Sequence, residues 1–128
     1  MATTLLVPAS VGDVLDRISI LAHKRERVAA SAVANVASEL AALLAAWPQA
    51  LPAPNDIPEH AELDSVNRAL WEVEDRLRAA EAMHQFGESF VADARSVYRL
   101  NDRRAALKRS VNLRYNSGLV EEKLHPRY

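Results

Sequence analysis

The placement of proline constrains this chain more than any other feature. Four of its six prolines fall within residues 48–58, while residues 9–47 and 59–125 contain none. Proline inside a helix costs about 3 kcal/mol, because it removes a hydrogen bond and clashes with the preceding turn. The pattern therefore predicts two long helical halves joined by a proline-rich connector at residues 48–58.

Composition narrows the fold class further. The chain has 23 alanines but only three glycines, which is too few turn glycines for a β-sandwich or barrel. It has no cysteine, which excludes disulfides and thiolate sites. No apolar run approaches the ~20 residues that span a membrane, and residues 1–7 lack the basic region of a secretory signal. We therefore expect a single helical domain over residues 1–128, located in the cytoplasm and without a membrane span.

Apolar residues recur at three- and four-residue spacing in four segments, which predicts four helices. The predicted helices cover about residues 11–30, 31–47, 59–85 and 88–115, and the alternative to the first two is one continuous helix over residues 11–47. Ser10 and Ser31 are suited to cap the first two, and Gly87 and Gly118 to end the turns after the last two. Short connections favour antiparallel neighbours, so the expected fold is all-α, either a four-helix bundle or two stacked antiparallel helical hairpins.

The apolar stripe of the last helix turns polar for about two turns, at Asn101, Arg104 and Lys108. Arg25 interrupts the first helix in the same way, and Glu74 lies at the edge of the third. A buried charge without a partner costs several kcal/mol, so an internal polar layer of Arg25, Glu74 and Asn101 is predicted. Such a layer serves as a specificity device or partner-helix contact, as a ligand pocket, or lies in solvent beside a short bundle.

The charges of the last two helices are opposite. Residues 59–93 carry a net charge of −6 and residues 95–114 a net charge of +6. Alone, the basic run resembles a nucleic-acid-binding helix, but the acidic neighbour cancels it. Pairing within the chain is therefore predicted, and no nucleic-acid partner is expected.

Signals for metal and cofactor chemistry are weak. The four histidines, at 23, 60, 84 and 125, show no i,i+4 pairing, so we expect no metal site and interpret them as surface or helix-end residues. The chain has no glycine-rich phosphate loop and no nucleophile elbow, and no cofactor is expected. Trp47 ends an apolar stripe and is interpreted as a core residue or a plug of the hairpin. Trp71 lies off its stripe, which suits either the covering of a second helix or a homodimer interface.

Several segments resemble those of one known family. They are VPASVGDVLDRISIL at residues 7–21, LWEVEDRLR at 70–78, ARSVY at 94–98, NDRRAALKR at 101–109 and GLVEEK at 118–123. Together they are similar to the small bacterial and phage proteins of the DUF6165 family, whose function is unknown. Members are often encoded among genes for lipopolysaccharide and other surface polysaccharides, so the resemblance implies a role near surface-glycan biosynthesis.

Two functions follow from these observations. The first is a non-catalytic binding or assembly module for a protein partner or a second copy of the chain. The second is a small helical enzyme or sensor for an anionic metabolite, such as a sugar phosphate or nucleotide sugar, held by Lys, Arg and Asn donors. The candidate ligand-binding residues come from the segments that carry the resemblance and from the polar positions on the stripe of the last helix. They are Asp16, Lys24, Arg27, Glu74, Asn101, Asp102, Arg103, Arg104 and Lys108.

Overall fold

A computed structural model describes residues 2–128 and shows the expected all-α fold. Helix α1 covers Val11–Arg27, α2 Ala30–Ala46, α3 His60–Ala82 and α4 Glu88–Arg114, and a 3₁₀ turn covers Pro54–Asp56. No strand is present in the described part of the chain. Helices α1 and α2 form one antiparallel hairpin, α3 and α4 form a second, and α1 packs against both helices of the second.

The helix ends are set by local chemistry. The Ser10 hydroxyl accepts a hydrogen bond from the Asp13 amide at 3.0 Å, which confirms the predicted cap of α1. The prediction for Ser31 was wrong, because α2 already begins at Ala30 and its N-cap, Ala29, offers no side-chain oxygen. The left-handed residues after α3 and α4 are His84 and Asn116, at φ 53° and 51°, rather than the glycines expected to end these turns.

The core has two parts, which meet at Trp47. The larger cluster joins α1, α3, α4 and the connector, and the smaller one joins α1 to α2. Trp47 packs against both clusters, and its indole nitrogen donates to the Pro52 carbonyl at 2.9 Å. The buried members of the larger cluster are Leu15, Ile57, Leu63, Val66, Leu70, Leu107 and Val111.

The third and fourth helices extend beyond the other two. Helix α1 runs antiparallel to α4, from Gly12 beside Asn112 to Asp16 beside Arg104. At its other end, the Arg27 guanidinium lies 5.2 Å from the centroid of the Trp71 ring. Beyond this level, residues 72–100 form a two-helix segment, here called the distal hairpin, of which Val73 is the one buried residue. The remainder of the molecule is called the base.

Candidate functional site

A buried polar layer lies between α1, α3 and α4 in the base. Asp16 is only 2% exposed, and its two carboxylate oxygens accept hydrogen bonds from the Arg104 guanidinium, the Nε–Oδ1 distance being 2.9 Å. Asn67 donates to the same Oδ1 atom at 3.0 Å. The contact with Asp16 raises the pKa of Arg104, although burial acts in the opposite direction. The carboxylate thus holds the guanidinium in one orientation.

The layer continues along α1 to Ser19 and His23. The Ser19 hydroxyl donates to Asp64 Oδ1 at 3.3 Å, and His23 Nε2 lies 2.8 Å from the same oxygen. Neither ring nitrogen of His23 has a hydrogen bond of good geometry within residues 2–128. His23 is 2% exposed, so its interpretation as a surface residue was wrong. Asp16, Ser19 and His23 follow a 3-4 spacing beside the apolar stripe, which is the signal that could have identified them.

A second set of polar contacts joins the first turn of α1 to the last turns of α4. The Gly12 amide donates to Asn112 Oδ1 at 2.6 Å, and a Cβ atom at Gly12 would lie 2.4 Å from the Lys108 carbonyl oxygen. Lys108 Nζ lies 2.6 Å from Asp13 and 2.9 Å from Glu121 of the C-terminal tail. Burial lowers the pKa of Lys108, but these two carboxylates outweigh it and the pKa is raised.

A cleft of about 330 Å³ opens beside the polar layer, where the distal hairpin begins. It brings together three of the predicted site residues: Glu74, Asn101 and Arg104. Trp71, Asp75 and Arg78 add an indole, a carboxylate and a second guanidinium. The complete lining is Ile20, Asn67, Leu70, Trp71, Glu74, Asp75, Arg78, Asn101 and Arg104.

The other predicted site residues are dispersed. Lys24 is exposed on α1, and Arg27 covers the Trp71 ring. Asp102 pairs with Lys123 of the tail, and Arg103 pairs with Glu62 on the surface.

The predicted composition of the polar layer was partly wrong. Arg25 is exposed, because it lies in the last turn of α1, and Glu74 is exposed at the rim of the cleft. The prediction of polar side chains turned inward on α4 holds for Arg104, which reaches Asp16 instead of the expected partners.

Most cations of α4 are matched by carboxylates of the same chain. Arg103 pairs with Glu62 on α3, Arg114 with Glu59, the residue that precedes α3, and Arg109 with Glu122 of the tail. Within the hairpin, Arg76 of α3 pairs with Asp93 of α4 at 2.9 Å. This confirms the predicted pairing within the chain and leaves less positive charge for an external anion.

The distal hairpin exposes an apolar groove. Leu77 of α3 faces Phe90 and Ala94 of α4 across a groove of about 590 Å³. Glu74 and Arg78 line both this groove and the cleft at its foot, so the two are adjacent. Near the tip of the hairpin, three apolar side chains are about half exposed or more: Met83, Phe86 and Val91. The described helices leave this apolar groove without a neighbour.

Two further observations bound the chemistry of the described residues. In residues 2–128, no three or more His, Asp or Glu side chains are grouped so that they could hold a metal ion. None of the described helices combines the length and the apolar character that crossing a membrane requires.

Comparison with known proteins gives a family and no function. No curated protein and no solved structure matches the sequence. A family model described as a family of unknown function, DUF6165, matches residues 5–126. Because the match covers nearly the whole chain, the protein belongs to the DUF6165 family.

Proposed function

We propose that this protein is a non-catalytic helical assembly module that acts in the cytoplasm in surface-glycan biosynthesis, and that it binds a protein through the distal hairpin. The link to surface glycans rests on the family resemblance. The binding role rests on the groove between α3 and α4, which has no covering helix in residues 2–128.

The uncovered groove carries this proposal because amphipathic helices need a partner for their apolar stripe. Two packed helices leave the sides of their seam open, and a further element over the seam encloses it. In the base α1 supplies that element, whereas Leu77, Phe90 and Ala94 line an open groove. An apolar surface rimmed by charged side chains is typical of protein-binding sites.

Thiol labelling tests this proposal, since the chain has no cysteine of its own. Ala82 and Ala61 are both exposed alanines of α3, but only Ala82 lines the groove. We expect the Ala82→Cys variant to react with a maleimide about tenfold more slowly than Ala61→Cys in extracts of cells producing it at native level. The two variants should react equally when purified and diluted. Equal rates in the extract as well would contradict the proposal.

A second candidate function is a sensor or enzyme for an anionic metabolite such as a sugar phosphate or nucleotide sugar. The observation that favours it is the cleft, where Arg104 is held in place by Asp16 and Arg78 has no ion-pair partner within residues 2–128. Glu74 and Asp75 balance these two cations, which weakens the attraction for an anion.

A thermal-shift series with sugar phosphates and nucleotide sugars tests the second candidate. Stabilisation by several degrees that Arg78→Ala abolishes would favour it, because a ligand that binds only the folded state raises Tm. Lys24→Ala, outside the cleft, is the matched control and should leave the shift unchanged. No shift with any of these compounds would contradict a metabolite site.

A further inference from the structure

The distal hairpin is also informative about the identity of its partner. We propose that the groove binds the same groove of a second copy of this chain, with the two hairpins antiparallel about a two-fold axis near Leu77. This inference rests on the proposed function, because it names the occupant of the same surface. The resulting four helices would enclose the seam that two helices leave open.

The exposed area of the chain is larger than that of a compact monomer, which favours a partner. The chain exposes 8955 Å², whereas a compact monomer of 14.2 kDa exposes roughly 6,800 Å². Besides the extended termini, the distal hairpin contributes to this difference, because Val73 is the one buried residue among residues 72–100. A standard interface takes about 800 Å² from each partner, which is less than this difference.

The charge pattern along the groove favours a second copy as the partner. Glu74, Arg78 and Glu81 line its α3 side in the order acid, base, acid, at i, i+4 and i+7. When a second α3 is laid antiparallel with the axis near Leu77, each Arg78 lies beside Glu74 of the other copy. Neither Glu74 nor Arg78 forms an ion pair within the part of the chain that is described. The groove is therefore complementary to itself.

The distribution of aromatic side chains along the hairpin favours the antiparallel arrangement. Phe86 and Phe90 stack edge to face near the tip, their ring centroids 5.2 Å apart. The cleft at the foot of the groove contains Trp71 and Leu70. An antiparallel arrangement brings the aromatic tip of each copy onto the cleft of the other, where large aromatic residues contribute most to binding.

Solution mass is the first test. Sedimentation equilibrium of the full chain should show a concentration-dependent change from the 14.2 kDa monomer to twice that mass. A monomer at every concentration up to about 1 mM, which corresponds to a binding free energy near 4 kcal/mol, would overturn the inference. If Ala82→Cys is still protected in extracts in that case, the assembly function stands with a different partner. If that thiol reacts freely, both proposals fail.

A charge exchange tests the arrangement itself. We expect Glu74→Lys and Arg78→Glu each to raise the dimer Kd about tenfold, because each creates two like-charge contacts across the axis. An equimolar mixture of the two variants should regain a Kd close to that of the unmodified chain, because both contacts across the axis then pair a base with an acid. Both residues are exposed, so helicity measured by circular dichroism should not change.

Two results of the exchange experiment would overturn the inference. One is a dimer whose Kd is unaffected by either single variant, which would place the interface on another face. The other is a mixture that associates no better than the single variants, which would exclude the contact between Glu74 and Arg78. Leu77→Glu is a further variant that should abolish the dimer by placing a charge at the axis.

Discussion

The base and the distal hairpin share helices α3 and α4, yet they differ in how much of these helices they bury. In the base, Leu15, Leu63 and Val111 are fully buried, because α1 crosses the seam between α3 and α4. In the distal hairpin, Leu77 and Phe90 continue the same seam but remain partly exposed. Along the seam between α3 and α4, residues are thus fully buried where α1 reaches them, and helix length decides where that occurs.

The two regions also treat polar groups differently. In the base, Asp16 is buried and accepts three hydrogen bonds, which offset the cost of removing it from water. In the distal hairpin, Glu74 and Arg78 have no ion-pair partners in the described chain and remain at the surface. In the base the Asp16 carboxylate has its partners within the chain, while the hairpin retains free apolar and charged groups for a partner. The following experiments test this contrast.

The largest effect is expected from truncating leucines of the two regions. Leu63→Ala should lower the free energy of unfolding by about 3 kcal/mol, since it opens a cavity at a fully buried site. Leu77→Ala removes the same atoms from a half-buried site and should cost about 1 kcal/mol in dilute, monomeric protein. Urea denaturation measures both. Equal losses would show that the hairpin is packed as firmly as the base.

An effect of similar size is expected at the buried ion pair. Asp16→Ala should cost about 3 kcal/mol in urea denaturation, because Arg104 and Asn67 lose their acceptor. Adding Arg104→Met should recover part of the loss, because the guanidinium is then no longer without its acceptor. Arg17→Ala, which removes the exposed pair of Arg17 with Glu39, is the matched control and should change stability by less than about 0.5 kcal/mol. A loss as small as that of the control would mean that the pair contributes nothing.

Gly12 tests how closely α1 approaches α4. Gly12→Ala should cost about 2 kcal/mol, because the new Cβ would lie 2.4 Å from the Lys108 carbonyl oxygen and must push the helices apart. Gly118→Ala is the control, since its Cβ would meet no atom within 4 Å, and it should change stability by less than about 0.5 kcal/mol. Thermal unfolding of both variants distinguishes close packing from a general effect of removing glycine.

The smallest effect is a pH dependence at Glu59. Burial raises the pKa of this carboxyl, but Arg114 and Ser110 outweigh it and hold the pKa below its ordinary value of 4.5. A lowered pKa stabilises the folded state above the ordinary value, and this stabilisation is lost as the pH falls through the folded-state pKa. Glu59→Gln should therefore cost about 1 kcal/mol at pH 7, and this cost should shrink below pH 4.5.

The control for this measurement is Glu62→Gln, in the first turn of the helix that follows Glu59. Glu62 contacts Arg103 at the exposed surface, so water and salt screen the pair. Its effect on the urea midpoint should be too small to resolve at any pH. A cost of Glu59→Gln that stays constant from pH 7 to pH 3 would show that the carboxylate charge contributes nothing.

The site was less predictable from the sequence than the helices. Polar positions on the apolar stripe of α4 indicated an inner polar layer, and Arg104 does enter one. The partners were wrong, because Arg25 lies in the last turn of α1, where no helix covers it. Asp16 and His23 are buried although they lie beside the main stripe, and only the crossing of α1 over α3 shows why.

The sequence alone determined the local features of this protein: four helices, the proline-rich connector, the Ser10 cap and the cancellation of charge between α3 and α4. The helices, the connector and the cap each depend on residues within a few turns of one another, and the charge cancellation depends only on the net charge of two segments. The tertiary structure decided the depth of burial of each polar group and the exposure of the distal groove. These depend on where helices of unequal length cross, which results from packing between residues far apart in the chain rather than from helical periodicity.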